Sequence, residues 1–206
     1  MSDVRSVPER SELPVPGTAR GRRTRARLLA AAESVFGELG YERASVMAIT
    51  RAADVAQGTF YKYFPSKHSI FVELVVDFGA RMRRHVGEAT SALRGAPRAE
   101  LERVGLTSFF EFALAHPALY AVVRESQFVA PATYRWYYES FVDAYRQNFE
   151  AAPPDVDVET FAWIIAGTAD MLGLRWVVWE GRMPPASVLD QAGRLFDRGF
   201  SGVLEP

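Results

Sequence analysis

One run of twenty-three residues, Ser45 to Lys67, constrains the fold of this chain more than any other stretch. Ser45 is a good N-cap, and apolar residues then recur at helical spacing as far as Ala53. Asp54 follows where the chain has to turn sharply, and aspartate is one of the few non-glycine residues that tolerate the left-handed conformation. A further helix begins near Gln57. The pattern therefore predicts two short helices joined by a tight turn.

The second of these helices has one apolar face and one face rich in hydrogen-bond donors. Phe60 and Phe64 are four residues apart, so both pack inward. The opposite face carries Gln57, Thr59, Lys62 and Tyr63. Glutamine can pair with adenine through two hydrogen bonds, threonine can reach a base edge, and lysine and tyrosine suit phosphates. The pattern indicates a helix-turn-helix that reads the DNA major groove; core packing alone is the other interpretation.

The residues Ala53 to Lys67 also carry a family signature, A-x-V-x-x-G-T-[LF]-Y-x-Y-F-x-S-K, which stands here as ADVAQGTFYKYFPSK. From about Arg20 to Phe71 the chain resembles the DNA-binding domain of the TetR family of transcriptional regulators. The rest is similar to the family in length and helical character only. The resemblance implies an all-α fold, with an N-terminal three-helix helix-turn-helix domain followed by a helical ligand-binding and dimerisation domain.

Eight residues are predicted to contact DNA. Those expected to reach base edges or the adjoining sugars are Met47, Gln57, Thr59 and Lys62. Those expected to bind phosphates are Thr24, Tyr61, Tyr63 and Lys67. The roles of Tyr61 and Thr24 are implied by the resemblance, in which the N-terminal end of the first helix touches a phosphate. Lys67 lies in the first turn of a helix, where a cation opposes the macrodipole, so a phosphate explains it better than helix stability does.

Charge and composition divide the chain into three parts. Residues 1–19 are rich in proline and serine and are predicted to be a disordered tail. Residues 20–66 form the predicted DNA-binding domain, and residues 67–206 the effector-binding and dimerisation domain. The net charge is −1 overall, whereas residues 20–67 sum to +5 and the remainder to −6. Arg20, Arg22 and Arg23 can enter a minor groove, and a solvated charge cluster is the equal alternative.

Several classes of function lack support. Zero cysteines exclude disulfides, zinc fingers and thiol catalysis, and with no visible signal peptide they favour the cytoplasm. His68, His85 and His116 fall on separate elements without metal-ligand spacing, and no catalytic constellation or cofactor motif is present. We therefore expect no enzyme activity, no metal and no cofactor. The longest apolar stretch, 161–179, holds two charged residues and is interpreted as a buried helix rather than a membrane span.

Helical periodicity extends through the rest of the chain. It predicts helices over 24–39, 66–93, 98–115, 118–125, 133–151, 157–180 and 185–200. The helix over 157–180 is apolar nearly all round, so a second face needs a cover, and a partner subunit is the economical one. The resemblance implies a four-helix interface between the last two helices and their twofold mates. We predict a homodimer through residues 157–203.

Aromatic residues interleaved with polar groups fill the middle of the chain and suggest a site for a small apolar or aromatic effector. The candidate residues are Phe109, Phe112, His116, Tyr120, Arg124, Phe128, Tyr134, Tyr137, Phe141, Trp163, Arg175 and Trp176. A well-filled core is the alternative for most of them. The predicted function is a repressor that releases a palindromic operator on binding the effector. A DNA-binding dimer whose helical bundle serves only dimerisation or protein contacts is the other candidate.

Overall fold

The computed structural model describes residues 7–10, 16–93, 95–147 and 157–202, with side chains described as far as residue 198. Over these residues the chain forms α-helices and one π-helical segment without any strand, which confirms the all-α prediction. The helices are α1 Ala19–Arg43, α2 Val46–Ala52, α3 Gln57–Phe60, α4 Lys67–Ser91, α5 Arg98–Ala115, α6 Pro117–Val129, α7 Pro131–Gln147, α8 Val158–Gly173 and α9 Ala186–Gly202. The π-helical segment is Leu174–Trp179.

Helix α1 begins more than a turn before the predicted start. The Thr18 side chain caps it by accepting a hydrogen bond from the Gly21 N–H at 3.1 Å, so the helix starts at Ala19. Gly40 has φ of +71°, the left-handed region that glycine enters freely. The regular helix therefore ends where the sequence predicts, and a short non-helical joint leads towards α2.

The later helices differ from the predicted ranges in detail. Helix α6 continues to Val129, four residues past its predicted end, because nothing before Pro131 interrupts it. The predicted single helix over 157–180 changes from α to π geometry at Leu174. Asp157, the predicted first residue, is the N-cap of α8, since its carboxylate accepts a hydrogen bond from the Glu159 N–H at 3.1 Å. The predicted end of α7 near residue 151 lies outside the described residues.

The chain divides into two compact units, and the division differs from the predicted boundary at residue 66. Unit 1 comprises residues 1–78 and 118–137, and unit 2 comprises 79–117 and 138–206. Unit 1 therefore holds α1 to α3, the first half of α4, nearly all of α6 and the start of α7. The difference arises because α4, α6 and α7 each have residues in both units.

The core of unit 1 is built around the three N-terminal helices. Its fully buried side chains include Leu28, Phe36, Ile49, Phe60, Phe64, Phe71 and Leu119. Helices α1 and α6 approach closely at Gly37, where an added Cβ would lie 2.5 Å from the Ala118 Cβ. A side chain at position 37 would push α6 away, so glycine is required by packing here rather than by backbone conformation.

Residues 7–10 lie against unit 1 and do not form the tail that the sequence predicts. Glu9 accepts hydrogen bonds from the backbone N–H of Thr133 at 3.3 Å and from its hydroxyl at 2.9 Å. The Arg10 guanidinium donates to both carboxylate oxygens of Glu73, each at 3.0 Å. These polar partners are more than sixty residues away along the chain, so local composition could not reveal them. Residues 1–6 and 11–15 lie outside the described residues.

The core of unit 2 is centred on α5 and α9. Buried side chains there include Leu106, Phe110, Ile165, Leu189 and Phe196. At Gly193 an added Cβ would lie 2.7 Å from the Ala99 carbonyl oxygen, so the backbones of α9 and α5 approach closely. Helix α8 packs in the same unit, with the rings of Phe161 and Phe196 6.0 Å apart. This unit supplies the helical scaffold for the second half of the chain.

Candidate DNA-binding surface and effector-binding residues

The turn between α2 and α3 sets the geometry of the predicted helix-turn-helix. The Ser45 hydroxyl accepts a hydrogen bond from the Ala48 N–H at 3.1 Å and so caps α2. Asp54 has φ of +50°, the left-handed conformation that the sequence predicts. Phe60 and Phe64 are fully buried with ring centroids 5.7 Å apart. The cap, the turn and the two aromatic anchors are all confirmed.

Two arginines of α1 brace this arrangement from within unit 1. Arg27 donates to the carbonyl oxygens of Ala53 and Asp54, the second at 3.0 Å, and so holds the turn. Arg25 pairs with the buried carboxylate of Glu73 on α4. The sequence counts both arginines in the positive field around the DNA. Their partners are 26 and 48 residues away, so they act as structural cations that the local pattern could not identify.

Four of the eight predicted DNA contacts are exposed. Met47 on α2 is 70% exposed, Gln57 on α3 is also exposed, and so are Tyr61 and Lys62 in the turn that follows α3. An added Cβ on Gly58 would meet nothing within 4 Å, so the surface beside Gln57 is open. The buried rings of Phe60 and Phe64 anchor α3 and the turn after it, as a base-reading surface requires.

Thr59 and Tyr63 are half-buried beside that surface. The Tyr63 hydroxyl lies 3.5 Å from the position that a Cβ on Gly21 would occupy. Tyr63 therefore meets the first turn of α1, where backbone N–H groups and exposed arginines Arg20 and Arg23 gather. The N-terminal end of a helix attracts phosphates, so the position of Tyr63 suits the predicted phosphate contact.

The structure corrects the placement of Thr24. This residue was expected at the N-terminal end of the first helix, but it lies in the second turn of α1. Its hydroxyl donates to the Arg20 carbonyl oxygen at 3.1 Å, a bond within the helix. The residue at the N-terminal end is Thr18, whose hydroxyl caps the helix. Because α1 starts earlier than predicted, residues 18–22 rather than Thr24 occupy the N-terminal end that is expected to contact a phosphate.

Lys67 has partners within the chain that the sequence did not indicate. Its ammonium donates to the carbonyl oxygens of Tyr41 at 2.7 Å and of Ala44 at 3.0 Å. It also lies 4.1 Å from the centroid of the Tyr41 ring, a cation–π distance. A phosphate is therefore not needed to explain this cation, because it fixes the joint between α1 and α2. A lysine has three N–H donors, so one remains for the predicted phosphate contact.

Helix α6 also contacts the joint between α1 and α2. Both carboxylate oxygens of Glu125 accept the backbone N–H of Tyr41, at 2.8 and 3.0 Å. Burial raises the pKa of the Tyr41 hydroxyl, and the nearby charges of Glu42 and Glu125 raise it further. Glu125 is 84 residues from Tyr41 in sequence, and nothing local in the sequence marks the pair. The joint that precedes the DNA-reading helices is thus held by α4 on one side and α6 on the other.

Two of the predicted effector residues flank a buried phenylalanine in unit 1. Tyr120 and Tyr137 are both buried, and their rings lie 6.3 and 6.4 Å from the ring of Phe78. Arg124 and Tyr134 are half-buried in the same unit. Tyr120 and Tyr137 are therefore brought together around α4, and their packing fits a core role as well as a binding role.

The structure corrects the placement of three other predicted effector residues. Phe128 is 83% exposed at the end of α6 and Trp163 is 42% exposed on α8, so neither lines an interior. The Arg175 side chain is 61% exposed and reaches Glu180 at 3.6 Å. Arg175 also lies 4.6 Å from the ring centroid of Trp176, which is buried beneath it. An exposed arginine on an apolar helix needs no buried acid or ligand to neutralise it.

In unit 2 the remaining predicted residues lie on α5 and α7. Phe112 lies in the last turn of α5 and His116 is the C-cap that follows, with ring centroids 4.6 Å apart. Phe109 is half-buried against the ring of Phe110 at 5.1 Å, and Phe141 of α7 is half-buried. Phe112 and His116 also contact Arg81 of α4.

Unit 2 contains a buried ionisable cluster around Glu102 that helical periodicity did not predict. Glu102 pairs with Arg98 and accepts a hydrogen bond from the Tyr145 hydroxyl at 2.6 Å. Burial raises the pKa of Glu102 to about 7, a larger effect than the lowering by Arg98. Burial lowers the pKa of Arg98. The i,i+4 spacing of Arg98 and Glu102 was visible, but their burial depends on distant helices.

Two general features of the described chain bear on its chemistry. No group of three or more His, Cys, Asp or Glu side chains among the described residues is placed to hold a metal ion. Taken singly, one helix, Val158–Trp179, is long and apolar enough to cross a membrane by length and composition. One such helix is weak support for a membrane span, because the core helix of a soluble bundle passes the same test.

The comparisons with known proteins agree with the helix-turn-helix geometry. Residues 28–74 match the family described as bacterial regulatory proteins, tetR family. The chain is 42% identical over 66 residues to the uncharacterized HTH-type transcriptional regulator YdgC of Bacillus subtilis, covering 32% of this chain and 34% of YdgC. It is 30% identical over 141 residues to the HTH-type transcriptional activator FasR of Mycolicibacterium smegmatis, covering 63% of this chain and 61% of FasR. The chain thus spans about a third and three fifths of these two curated relatives.

The fold extends beyond the matched N-terminal region. The regulator FadR from Bacillus subtilis, solved in complex with stearoyl-CoA, shares the fold at 21% identity with a TM-score of 0.65. That similarity covers 84% of this chain and 98% of FadR. The curated relatives named here are transcriptional regulators and not enzymes. Together with the anchored helices and the exposed side chains beside them, the matches show that residues 28–74 form a helix-turn-helix region of the bacterial tetR family of regulatory proteins, and that the rest of the chain shares the fold of solved regulators.

Proposed function

We propose that the protein is a cytoplasmic homodimeric repressor that binds a palindromic DNA operator and releases it when a small apolar or aromatic effector binds. The observation that carries the DNA-binding part is the exposure of Met47, Gln57, Tyr61 and Lys62 on anchored helices and in the turn after α3. Donor-rich side chains on a rigid short helix suit base and phosphate contacts in a major groove.

The dimer is supported by an exposed apolar face on α8 and its π-helical continuation. Ile164 and Met171 are exposed and seven residues apart, so they form an apolar stripe along α8, and Val178 is also exposed in the π-helical segment that continues the helix. Trp179 is also exposed, and on α9 so is Leu195. A contiguous apolar stripe of this kind marks a protein interface in a soluble protein. This supports the predicted interface within residues 157–203, as far as side chains are described.

A dimer also follows from the size of the reading surface. Helix α3 has four residues, so one copy contacts only a few base pairs, too few to select one site in a genome. Two copies on a palindrome, with half-sites about 34 to 36 Å apart or a multiple of that spacing, supply the missing specificity.

The effector response is supported by the continuity of α4. This helix runs without interruption from Lys67, which holds the joint before the DNA-reading helices, to Ser91 in unit 2. Phe78 and Met82, near the middle of α4, are buried. We therefore expect a displacement at these residues to be transmitted along the helix. The similar fold of FadR carries stearoyl-CoA, which indicates that a fold of this kind can hold a ligand with a long apolar body.

The proposal is tested by selecting binding sites from a random duplex library with the purified protein, then measuring affinity by fluorescence anisotropy. We expect a palindromic site, two protein chains per duplex, and a loss of affinity of about 5- to 150-fold with an effector, the range of typical coupling energies. A selected site without twofold symmetry contradicts the dimeric reader. Because the relative FasR is an activator, a promoter-reporter assay then measures the sign of regulation.

A further inference from the structure

Helices α4 and α5 bring two pairs of side chains together around one aromatic ring in unit 2. Arg81 and His85 are one turn apart on α4, Phe112 is in the last turn of α5, and His116 is the C-cap that follows it. The Arg81 guanidinium carbon lies 5.6 Å from the centroid of the Phe112 ring, and the His85 ring lies 5.4 Å from it. Three nitrogen-bearing side chains thus surround a single phenylalanine.

The bond between Arg81 and His116 settles the state of one imidazole. The Arg81 guanidinium lies 3.0 Å from Nε2 of His116, and a guanidinium has donors only. Nε2 of His116 must therefore accept, so this ring is neutral with its proton on Nδ1. The charge of the pair resides on Arg81, which the bond holds against the face of Phe112.

The second imidazole has a hydrogen-bonding atom that the described chain leaves unused. Nε2 of His85 is buried and has no hydrogen-bond partner among the described residues. Buried polar atoms are nearly always hydrogen-bonded in folded proteins, and exceptions often mark sites completed by another molecule. A ligand atom at this position would supply the missing partner.

We propose that Arg81 and His85 bind the acidic head group of the effector, so that the effector is a carboxylic acid with an apolar body. A carboxylate has two oxygens, one for the guanidinium of Arg81 and one for Nε2–H of His85. Hydrogen bonds from charged donors to carboxylates are the strong ones, and the Phe112 ring offers an apolar surface beside them. This inference rests on the proposed function, because it names the chemical class of ligand that the same helices bind.

The two arginines among the predicted effector residues, Arg124 and Arg175, fit this role less well. Arg175 is largely exposed and reaches Glu180. Arg124 belongs to the unit that contains the DNA-reading helices, where Glu125 holds the joint at Tyr41. A metal-mediated contact is also not indicated, since no metal-ligand group occurs among the described residues. The buried nitrogen of His85 is the observation that distinguishes the α4–α5 cluster.

The test uses two matched pairs of probes: dodecanoate with dodecan-1-ol, and 2-naphthoate with 2-naphthalenemethanol. Binding to the full-length dimer is measured by isothermal titration calorimetry at pH 7. We expect at least one acid to bind about tenfold or more tightly than its alcohol, since the alcohol lacks the charge-assisted bonds. Arg81→Met keeps the apolar stem, and His85→Phe keeps the ring beside Phe112; each should remove most of this preference.

Two further variants make the result specific. Arg81→Lys keeps a positive charge and should recover part of the preference for the acid. Arg103→Met, which removes an exposed arginine facing Asp190 on α9, should leave the preference unchanged. Melting curves of all variants check that they fold.

Several results would overturn the inference: binding of neither acid, equal binding of acid and alcohol, or retention of the acid preference in both Arg81→Met and His85→Phe. Operator release is measured separately by anisotropy with the same probes. An acid that binds through Arg81 and His85 without weakening operator binding upholds the site and contradicts the proposed effector response. The opposite result is a neutral probe that releases the operator equally well from the native chain and from the Arg81 and His85 variants. That result upholds the effector response and contradicts the site.

Discussion

The proposed DNA-reading surface and the proposed effector-binding helices differ in how closely sequence and structure correspond. On the first, the motif residues Gln57 and Lys62 are exposed and Phe60 is buried, as the spacing predicts. On the second, the twelve candidate residues divide between two compact units and range from buried Tyr120 to exposed Phe128. The major groove of B-DNA has a characteristic width and depth, so a helix that reads it needs particular residue types at fixed spacing. An effector of unspecified shape imposes no spacing, and aromatic content alone cannot separate a site from a core.

The largest effect is expected from a charge on the exposed apolar face of α8 and its π-helical continuation. Val178 is 47% exposed, and Val178→Glu should abolish the dimer because a carboxylate would have to be desolvated within an apolar contact. Operator affinity should fall about 100-fold or more, since one half-site contributes too little alone. Sedimentation and anisotropy measure the two losses. The control, Gln127→Glu, adds the same charge at an exposed position of α6. A Val178→Glu variant that remains dimeric would contradict the proposed interface.

The next largest effect concerns the base-reading role of Gln57. Gln57→Ala should cost about 1 to 3 kcal/mol on the selected operator and relax the preference at one base pair. Binding to random DNA should change little, because phosphates supply that affinity. Lys62→Met is the matched comparison variant. Fluorescence anisotropy with the operator duplex and with a random duplex gives the ratio of the two affinities for each variant. Equal losses on operator and random DNA in the Gln57 variant would assign this residue to the DNA backbone instead.

The pH dependence of the free energy of unfolding tests the second region of the comparison, the proposed effector-binding helices, at the buried cluster around Glu102. The folded pKa of about 7 lies above the ordinary value of 4.5, so the folded state binds the proton more tightly. Its stabilising contribution is present below pH 4.5 and is lost as the pH rises through 7. The free energy of unfolding should therefore decrease over this window, with a limiting slope of about 1.4 kcal/mol per pH unit.

Urea unfolding at several pH values measures this slope in the native chain and in Glu102→Gln. The glutamine keeps an acceptor for the Tyr145 hydroxyl and cannot ionise, so the component due to Glu102 should vanish. The difference between the folded and the ordinary pKa corresponds to a total loss of about 1 to 3 kcal/mol between pH 4.5 and 7. Identical profiles in the two proteins would show that Glu102 has the same pKa in the folded and unfolded states.

The smallest effect separates two lysines of the DNA-binding region. We expect the exposed ammonium of Lys62 to neutralise a phosphate beside the base edge that it is predicted to reach, so Lys62→Met should reduce the slope of log affinity against log salt by about 0.9, the value for one phosphate. Lys67→Met should reduce it by less, because two of its donors hold Tyr41 and Ala44, and it should lower the melting temperature more. Equal salt slopes and equal melting temperatures for the two variants would place both lysines chiefly on phosphate.

The features that could be predicted from the sequence are those determined by near neighbours. The cap at Ser45, the turn at Asp54 and the anchors at Phe60 and Phe64 depend on spacings of a few residues. Arg27 and Lys67 were assigned to DNA because their carbonyl partners are 26 residues away, beyond the reach of a local pattern.

The effector half shows the same limit more strongly. Arg175 looked buried because its helix is apolar nearly all round, but which face is covered depends on packing, and the arginine is on the exposed face. The contact of Arg81 and His85 with Phe112 needs the relative rotation of two helices, which periodicity does not supply. In this half of the chain the residue types indicated the chemistry of a binding site. The positions of those residues could be taken only from the structure.

The hold of Glu125 on the Tyr41 N–H bears on how such regulators can be recombined. Engineers often treat the N-terminal segment of a regulator as an exchangeable cassette, joined to a sensor from another protein. Here α6 contributes the carboxylate at Tyr41 and the close contact between Ala118 and Gly37, so a cassette cut after α4 would lose both. A chimera should therefore transfer residues 118–137 together with residues 1–78, although the two stretches are separated in the gene. The unit of exchange is discontinuous, and a single crossover cannot deliver it.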